Sequence, residues 1–198
     1  TGIYIETAAE DGSEPVKNYY KTLQEAVDAA STTAESSEAT IIKFSQMLSL
    51  SSTINVSGKK ICLMSVAADA KIVRQQGFTG DLFLLSGEGS ELQFAADEGC
   101  TFTVDGSGTE NITGSIVNVS DNAAFGMSSG VALTGNSTSA NGGAVTNNGG
   151  SIVLRGGSVT GNSGAKGAVY TNTDVMVQGS VSIKDNTGAN LYLDGESV

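Results

Sequence analysis

The chain alternates short apolar and polar stretches, and from residue 142 onward this pattern returns about every two dozen residues. Gly-Gly-Ala-Val at 142–145 opens one unit and Gly-Ala-Val at 167–169 opens the next, so that Val145, Val169 and Leu191 are spaced 24 and 22 residues apart. Each apolar pulse is bounded by Gly, Asn, Asp or Ser, which is typical of a short strand between tight turns. Three strands per unit cannot bury an apolar face alone. The pattern therefore predicts a three-sided β-solenoid with strands paired in parallel between stacked units.

The N-terminal part has a different pattern. Residues 2–6 alternate as a strand and 7–18 are polar, which predicts a loop. Residues 23–30 place apolar side chains at i, i+3, i+4 and i+7, and Thr22 and Glu25 have the spacing of a capping box, so a short helix is predicted there. An isolated helix of this length is unstable, and we expect it to cover the first unit. The interpretation is one domain, 1–198, with a strand, loop and capping helix in 1–38 and stacked units in 39–198.

Several short motifs resemble those of a known superfamily. Residues 3–5 and 20–30, followed by the repeats, resemble the entry segment of pectate-lyase-like right-handed parallel β-helix proteins. Gly-Gly-Ala-Val at 142–145 and Lys-Gly-Ala-Val at 166–169 resemble the repeats of its adhesin-like branch, which includes polymorphic outer-membrane proteins. That branch also repeats Phe-x-x-Asn, which appears here with an aliphatic residue in place of Phe at 133–136, 159–162 and 183–186. The resemblance implies an all-β, right-handed, single-stranded parallel β-helix.

Asn136, Asn162 and Asn186 recur 26 and then 24 residues apart, at the end of successive units. Asn tolerates the backbone of a tight turn, and its amide can bond the main chain of a neighbouring unit. The spacing therefore predicts a structural ladder of stacked asparagines, and the alternative is a row of ligand-binding amides.

Charge narrows the choice of partners. The formal net charge is −11, and no Lys or Arg occurs between Gln75 and Leu154. Such a surface repels nucleic acid and other polyanions, so no nucleic-acid partner is expected.

No apolar run approaches the roughly 18 residues of a membrane span, so membrane insertion is not expected either. Because the chain begins at Thr1 without Met, the sequence predicts an extracellular or cell-surface product whose signal has been removed. We also expect further C-terminal repeats or end-to-end self-association, because the last strand pattern ends without a polar cap.

The residues that enzymes of the resembled superfamily need are sparse. A glycoside hydrolase needs two carboxyl groups about 5 to 9.5 Å apart, and a polysaccharide lyase of this superfamily needs an Arg or Lys base. The chain has no His and two arginines, Arg74 and Arg155, far apart in sequence. No catalytic residue and no cofactor is predicted. Asp97, Glu98 and Asp105 are the candidates for a Ca²⁺ or ligand site.

Cys62 and Cys100 have no metal-binding spacing. Either they fill the interior as small apolar residues or they form one disulfide.

The function hypothesis is a non-catalytic, bacterial, cell-surface or secreted adhesin-like module that binds a glycan or a surface protein, or that acts as a rigid spacer. The alternative is a carbohydrate-active enzyme, either a polysaccharide lyase or a glycoside hydrolase. Ice binding is a weaker third hypothesis, because Thr101 and Thr103 do not extend into a regular threonine array.

Overall fold

The computed structural model describes residues 2–9, 13–107 and 111–195, and these residues form 18 strands and one helix. The helix is α1, Leu23–Ala29. The strands up to the middle of the chain are β1 Ile3–Thr7, β2 Val16–Tyr20, β3 Thr40–Phe44, β4 Leu48–Leu50, β5 Ile54–Ser57, β6 Lys60–Ser65, β7 Ala70–Arg74, β8 Phe83–Ser86 and β9 Glu91–Ala96. The later strands are β10 Phe102–Asp105, β11 Val117–Ser120, β12 Ala124–Met127, β13 Val131–Thr134, β14 Gly142–Asn148, β15 Ser151–Thr160, β16 Ser163–Thr171, β17 Val175–Ile183 and β18 Thr187–Leu193.

The strands form two sheets. One has 12 strands in the order β2-β1-β3-β6-β9-β12-β15-β13-β10-β7-β4, with β17 also paired to β15, and the other has six in the order β18-β16-β14-β11-β8-β5. The first sheet is mixed, because β1 runs antiparallel to both β2 and β3. The remaining strand pairs are parallel, and most strands pair with the third strand before and after them in sequence.

Strand β15 joins the two arms of the 12-stranded sheet. Its first part, at Ile152 and Leu154, continues the pairing of β12, and its last part, at Val159, continues that of β13. The sequence pattern placed a turn between these parts, but the backbone stays in one ten-residue strand through Gly156 and Gly157. Glycine permits this path, since Gly157 has φ +86° and a Cβ there would lie 2.4 Å from the Val131 carbonyl oxygen.

The prediction of a right-handed, three-sided parallel β-helix is therefore wrong in the form in which it was made. It required three separate and uniformly parallel faces. The structure has one continuous mixed sheet of 12 strands and one parallel sheet of six. Two sheets on a shared core are the arrangement of a layered β-protein of the sandwich type rather than of a three-sided solenoid.

One core lies between the sheets. The Phe94 ring packs against Phe83, Phe102 and Phe125 with ring centroids 5.0, 5.1 and 5.2 Å apart. Phe83 belongs to the six-stranded sheet, and the other three belong to both arms of the 12-stranded sheet. All four rings are almost fully buried. Aromatic contacts of this geometry add to the stabilisation by area burial, so the two sheets form one packed unit.

Helix α1 closes one side of this core. The predicted capping box is present, since the Thr22 hydroxyl accepts from the Glu25 N–H and the Glu25 carboxylate accepts from the Thr22 N–H. The helix buries Leu23, Ala26 and Val27. It also covers the edge of β5 through the Gln24 side-chain amide, whose oxygen accepts from Asn55 N–H at 2.8 Å and whose nitrogen donates to Asn55 O at 3.2 Å.

The loop predicted over residues 7–18 is partly a strand. Residues Val16–Tyr20 form β2, paired with β1. Its side chains are mostly exposed, so it lacks the apolar alternation by which a buried strand is recognised.

Candidate functional site

The outward surface of one arm of the 12-stranded sheet carries an unusual row of side chains. Parallel pairing brings the same outward position of β3, β6, β9, β12, β15 and β17 into register, one strand spacing of about 4.8 Å apart. We call this row the outer column, and it consists of Ile41, Cys62, Gln93, Gly126, Val153 and Met176. The row crosses six strands, so it forms a flat strip about 24 Å long.

Most side chains of the outer column are apolar although they point away from the core. Ile41 is 42% exposed and Met176 is 52% exposed, and Cys62 and Val153 are half-buried. A strand with one buried and one solvated face normally alternates apolar and polar residues. The outer column breaks this rule on β3, β6, β15 and β17, so it is a mostly apolar strip that is interrupted at Gln93 and Gly126.

Polar groups lie at the middle of the strip. The Gln93 side-chain amide donates to the Ser128 hydroxyl at 2.8 Å. A Cβ built on Gly126 would lie 3.5 Å from the Gln93 amide oxygen and 3.7 Å from a guanidinium nitrogen of Arg155. These two side chains therefore close over Gly126 and keep the strip flat. Arg155 is exposed and has no ion pair with a described residue, so its charge faces solvent beside the apolar residues.

Charged residues flank the strip. On one side Lys60 lies opposite Glu91, and the Lys60 ammonium donates to the Ser37 carbonyl at 3.2 Å. On the other side lies Lys43, whose ammonium is bonded to the Glu6 carboxylate. These flanks therefore carry both signs of charge, because Lys43 pairs with Glu6 and Lys60 lies opposite Glu91.

Glu6 and Lys43 also line a cleft of about 460 Å³ between the β1–β2 pair, the end of α1 and β3. Hydrogen bonding to Lys43 lowers the pKa of Glu6, and Lys17 lies 3.7 Å from the same carboxylate. Hydrogen bonding to Glu6 raises the pKa of Lys43. Glu6 is therefore held ionised and Lys43 protonated, and the two groups form an ion pair.

The cysteines are free. Cys62 lies in the outer column rather than in the interior, and burial raises the pKa of its thiol, with a smaller contribution from Glu91. The thiol therefore stays protonated at neutral pH, and Cys62 acts as a small apolar side chain of the strip.

The three predicted asparagines lie in one hydrogen-bonded row. Asn136 N–H donates to Asn162 Oδ1 at 3.1 Å, and Asn162 N–H donates to Asn186 Oδ1 at 2.9 Å. Their side-chain NH₂ groups donate to backbone carbonyls, for example Asn162 to Leu133 O and to Thr160 O, each at 3.0 Å. Asn136 and Asn162 are fully buried. Their amides are thus occupied by the protein itself.

Arg74 extends this row, and no role was predicted for it from the sequence. The residue is 4% exposed, and its guanidinium donates to Gly106 O at 2.9 Å, to Asn136 Oδ1 at 3.3 Å and to the Gly80 carbonyl. Burial lowers its pKa, partly offset by Asp81. The sequence of β7 contains a signal for the burial of Arg74. Side chains alternate along a strand, so Arg74 faces inward together with Ala70 and Ile72.

The candidate carboxylates do not converge. Asp97 and Glu98 are exposed in the turn before β10, where Asp97 Oδ1 accepts from Glu98 N–H. Asp105 ends β10, and its carboxylate accepts from Ser107 N–H at 2.9 Å. The strand between them is about 10 Å long. Within the described ranges, no group of three or more His, Cys, Asp or Glu could hold a metal ion.

The chain matches no protein-family model, no curated protein and no solved structure. The resemblance to the pectate-lyase-like superfamily therefore stays a prediction. The adhesin-like and carbohydrate-binding assignments followed from the β-helix architecture, and the two-sheet topology removes that basis. The helix of the described chain is too short to span a membrane. An extracellular location stays a prediction from the sequence.

Proposed function

We propose that this protein is a non-catalytic module that binds another protein through the outer column and its flanking residues. The observation that supports this proposal is the outward row from Ile41 to Met176, in which four of the six residues are apolar, held in register by parallel pairing. Exposed apolar surface that is rimmed by polar residues marks an interaction site. An ordered sheet loses little conformational entropy when it is covered, so it favours binding.

The composition of the strip also suits a protein partner. Protein interfaces have an apolar centre and a polar rim, and they are enriched in Met and Arg. Met176 and Arg155 are such residues, and Met64, in the neighbouring outward row, is partly exposed. The flanks hold Lys43 with Glu6, Lys60 opposite Glu91, and the exposed Arg155, so they favour a partner whose apolar contact surface has a polar rim of mixed charge.

The charge states in the cleft favour this function over an acid–base enzyme. The ionised Glu6 and the protonated Lys43 neutralise each other. A hydrolase would need one carboxyl group with a raised pKa, and a lyase would need an unprotonated base.

The test uses two matched variants. Val153→Asp places a carboxylate in the outer column, and Ala132→Asp places one at a half-buried, outward position of the other arm. An otherwise unchanged chain with a photo-crosslinking side chain at position 41 is used to capture the partner protein. The partner is then purified, and its affinity for the unchanged chain and for each variant is measured by calorimetry. We expect Val153→Asp to weaken binding at least about tenfold and Ala132→Asp to leave it unchanged.

Equal weakening by both variants, or none by either, would contradict the proposal. Product release from a polysaccharide panel that Glu6→Gln abolishes would instead establish the enzymatic alternative. Far-ultraviolet circular dichroism of both variants separates lost binding from lost folding.

A further inference from the structure

The chain contains two Asn-Gly pairs, Asn141-Gly142 and Asn148-Gly149. Such a pair can react within itself, because no Cβ shields the glycine nitrogen from the side-chain amide that precedes it. Attack by this nitrogen closes a five-membered imide ring and releases ammonia, and water then opens the ring to aspartate or isoaspartate. The reaction needs no enzyme, so the surroundings of each pair decide whether it occurs.

The first pair is enclosed by the protein. Gly142 is buried at the start of β14, and its N–H donates to the Thr146 hydroxyl at 2.8 Å. A Cβ built on Gly142 would lie 1.8 Å from the Val145 carbonyl oxygen, so the backbone has no room to move there. The Asn141 carbonyl accepts from Lys166 N–H at 2.9 Å. Because ring closure must reorient this backbone, the fold protects the first pair.

The second pair lies in an open turn between β14 and β15. Asn148 is exposed at the end of β14, and Gly149 is half-buried. A Cβ built on Gly149 would meet no atom within 4 Å. Water therefore reaches the Asn148 side chain, and the backbone has space to close the ring and to open it again.

One hydrogen bond restrains the reactive nitrogen of the second pair. Gly149 N–H donates to Asn172 Oδ1 at 2.8 Å, and Asn172 is exposed in the turn between β16 and β17. The nitrogen must turn toward the Asn148 side chain and lose its proton when it attacks. Because the neutral amide oxygen of Asn172 holds the N–H without removing the proton, this bond stabilises the unreacted chain.

We propose that Asn148 is a site of spontaneous deamidation and that Asn172 sets the rate by restraining the Gly149 nitrogen. In this reaction the Gly149 nitrogen forms a bond to the side-chain carbonyl carbon of Asn148. The side-chain amide leaves as ammonia and takes the proton of the Gly149 N–H. One water molecule then cleaves the ring. Cleavage at the side-chain carbon gives aspartate, and cleavage at the backbone carbon gives isoaspartate.

Either product alters a turn that is bonded to the turns on both sides of it. Asn122 N–H donates to Gly149 O at 3.0 Å, and Asn172 N–H donates to Asn147 O at 3.2 Å. Aspartate adds a negative charge to a chain of net charge −11, and isoaspartate lengthens the main chain of the turn. The site lies on different residues from the proposed binding strip and is independent of it.

The first test follows the folded, unchanged chain in mildly alkaline buffer by peptide mass spectrometry, with isoaspartate measured by enzymatic methylation. We expect aspartate and isoaspartate at position 148, while Asn141 stays intact. The same chain unfolded in urea is the reference, and both pairs should react there at similar rates because the fold no longer distinguishes them. Asn148→Ala should remove the isoaspartate signal of the folded chain.

Two substitutions at one exposed position test the role of Asn172. Asn172→Ala removes the acceptor of the Gly149 N–H and should raise the rate at Asn148 at least about threefold, the rate equivalent of one net protein hydrogen bond. Asn172→Asp keeps an oxygen acceptor and should react no faster than the unchanged chain. Circular dichroism checks that both variants fold.

Four results would overturn the proposal. They are reaction of Asn141 as fast as Asn148 in the folded chain, no reaction at Asn148 while the chain in urea reacts at both pairs, an unchanged rate in Asn172→Ala, and equal acceleration in Asn172→Ala and Asn172→Asp.

Discussion

Asn162 Oδ1 accepts a hydrogen bond from the backbone N–H of Asn136, a residue 26 positions earlier, at 3.1 Å. The Asn162 NH₂ group also donates to the Leu133 carbonyl, 29 positions earlier. One side chain thus links the ends of strands that are not neighbours in the sequence. Because it is fully buried, no water can replace these bonds without the strands separating.

The first prediction concerns this asparagine. Asn162→Ala removes the acceptor of Asn136 N–H and the donor to Leu133 O, and it leaves both backbone groups buried without these partners. The free energy of unfolding should fall by about 1–3 kcal/mol. Urea denaturation followed by circular dichroism measures the change.

The control is Asn148→Ala. Asn148 is exposed at the end of β14, so its removal should change the free energy of unfolding by less than about 0.5 kcal/mol. If both variants unfold at the same urea concentration as the unchanged chain, the asparagine row does not stabilise the fold.

The second prediction separates backbone conformation from steric contact at two glycines. Gly149 and Gly157 have φ of +88° and +86°, but a Cβ at Gly149 would meet no atom within 4 Å, whereas one at Gly157 would lie 2.4 Å from Val131 O. Gly149→Ala should cost about 1–2 kcal/mol for the left-handed backbone alone. Gly157→Ala should cost about 1–3 kcal/mol more, because a neighbouring strand must move.

Thermal melting of the two alanine variants measures this difference. Equal costs at the two positions would show that β15 does not pass Val131 as closely as the structure places it, and that the two arms are not joined there.

The third prediction concerns pH. The pKa of Glu6 is lowered in the folded state, chiefly by its hydrogen bond to Lys43, so the folded chain binds this proton less tightly than the unfolded chain. Its contribution to stability is therefore present above the ordinary glutamate pKa of about 4.3 and is lost as pH falls through the lower, folded pKa.

Glu6→Gln should accordingly lower the melting temperature at pH 7 and have little effect in strong acid. The control is Glu88→Gln, which changes an exposed turn residue and should leave the melting temperature at pH 7 unchanged. A melting-temperature difference between Glu6→Gln and the unchanged chain that is constant with pH would contradict the role of the Glu6–Lys43 pair.

Local sequence signals were sufficient for helix α1. The spacing of Leu23, Ala26 and Val27 and the Thr22–Glu25 capping box are complete within ten residues, and the structure contains both. These features depend on neighbours along the chain, so they can be read without knowledge of the tertiary structure.

The sheet organisation could not be read in the same way. Gly156 and Gly157 permit either a turn or a continued strand, and the sequence pattern favoured the turn. In the structure the strand continues, and Gly157 passes close to the Val131 carbonyl oxygen of the neighbouring strand β13. The error in fold class follows in part from this ambiguity, because β15 is where the two arms join, and in part from the antiparallel pairing of β1.

The candidate site was missed for a similar reason. Ile41 and Val153 lie more than 100 residues apart, and a single surface-exposed apolar residue is common in soluble proteins. Only the register that places them in one row with Met176 shows that they form a strip.

The most direct test of the central claim is amide hydrogen exchange on this chain. The claim is that the strands pair in two sheets in the order given above. Amides of β17 and β18, each of which pairs with one described strand, should exchange faster than those of β11 and β14, which are paired on both edges. Equal protection of these four strands would contradict that order.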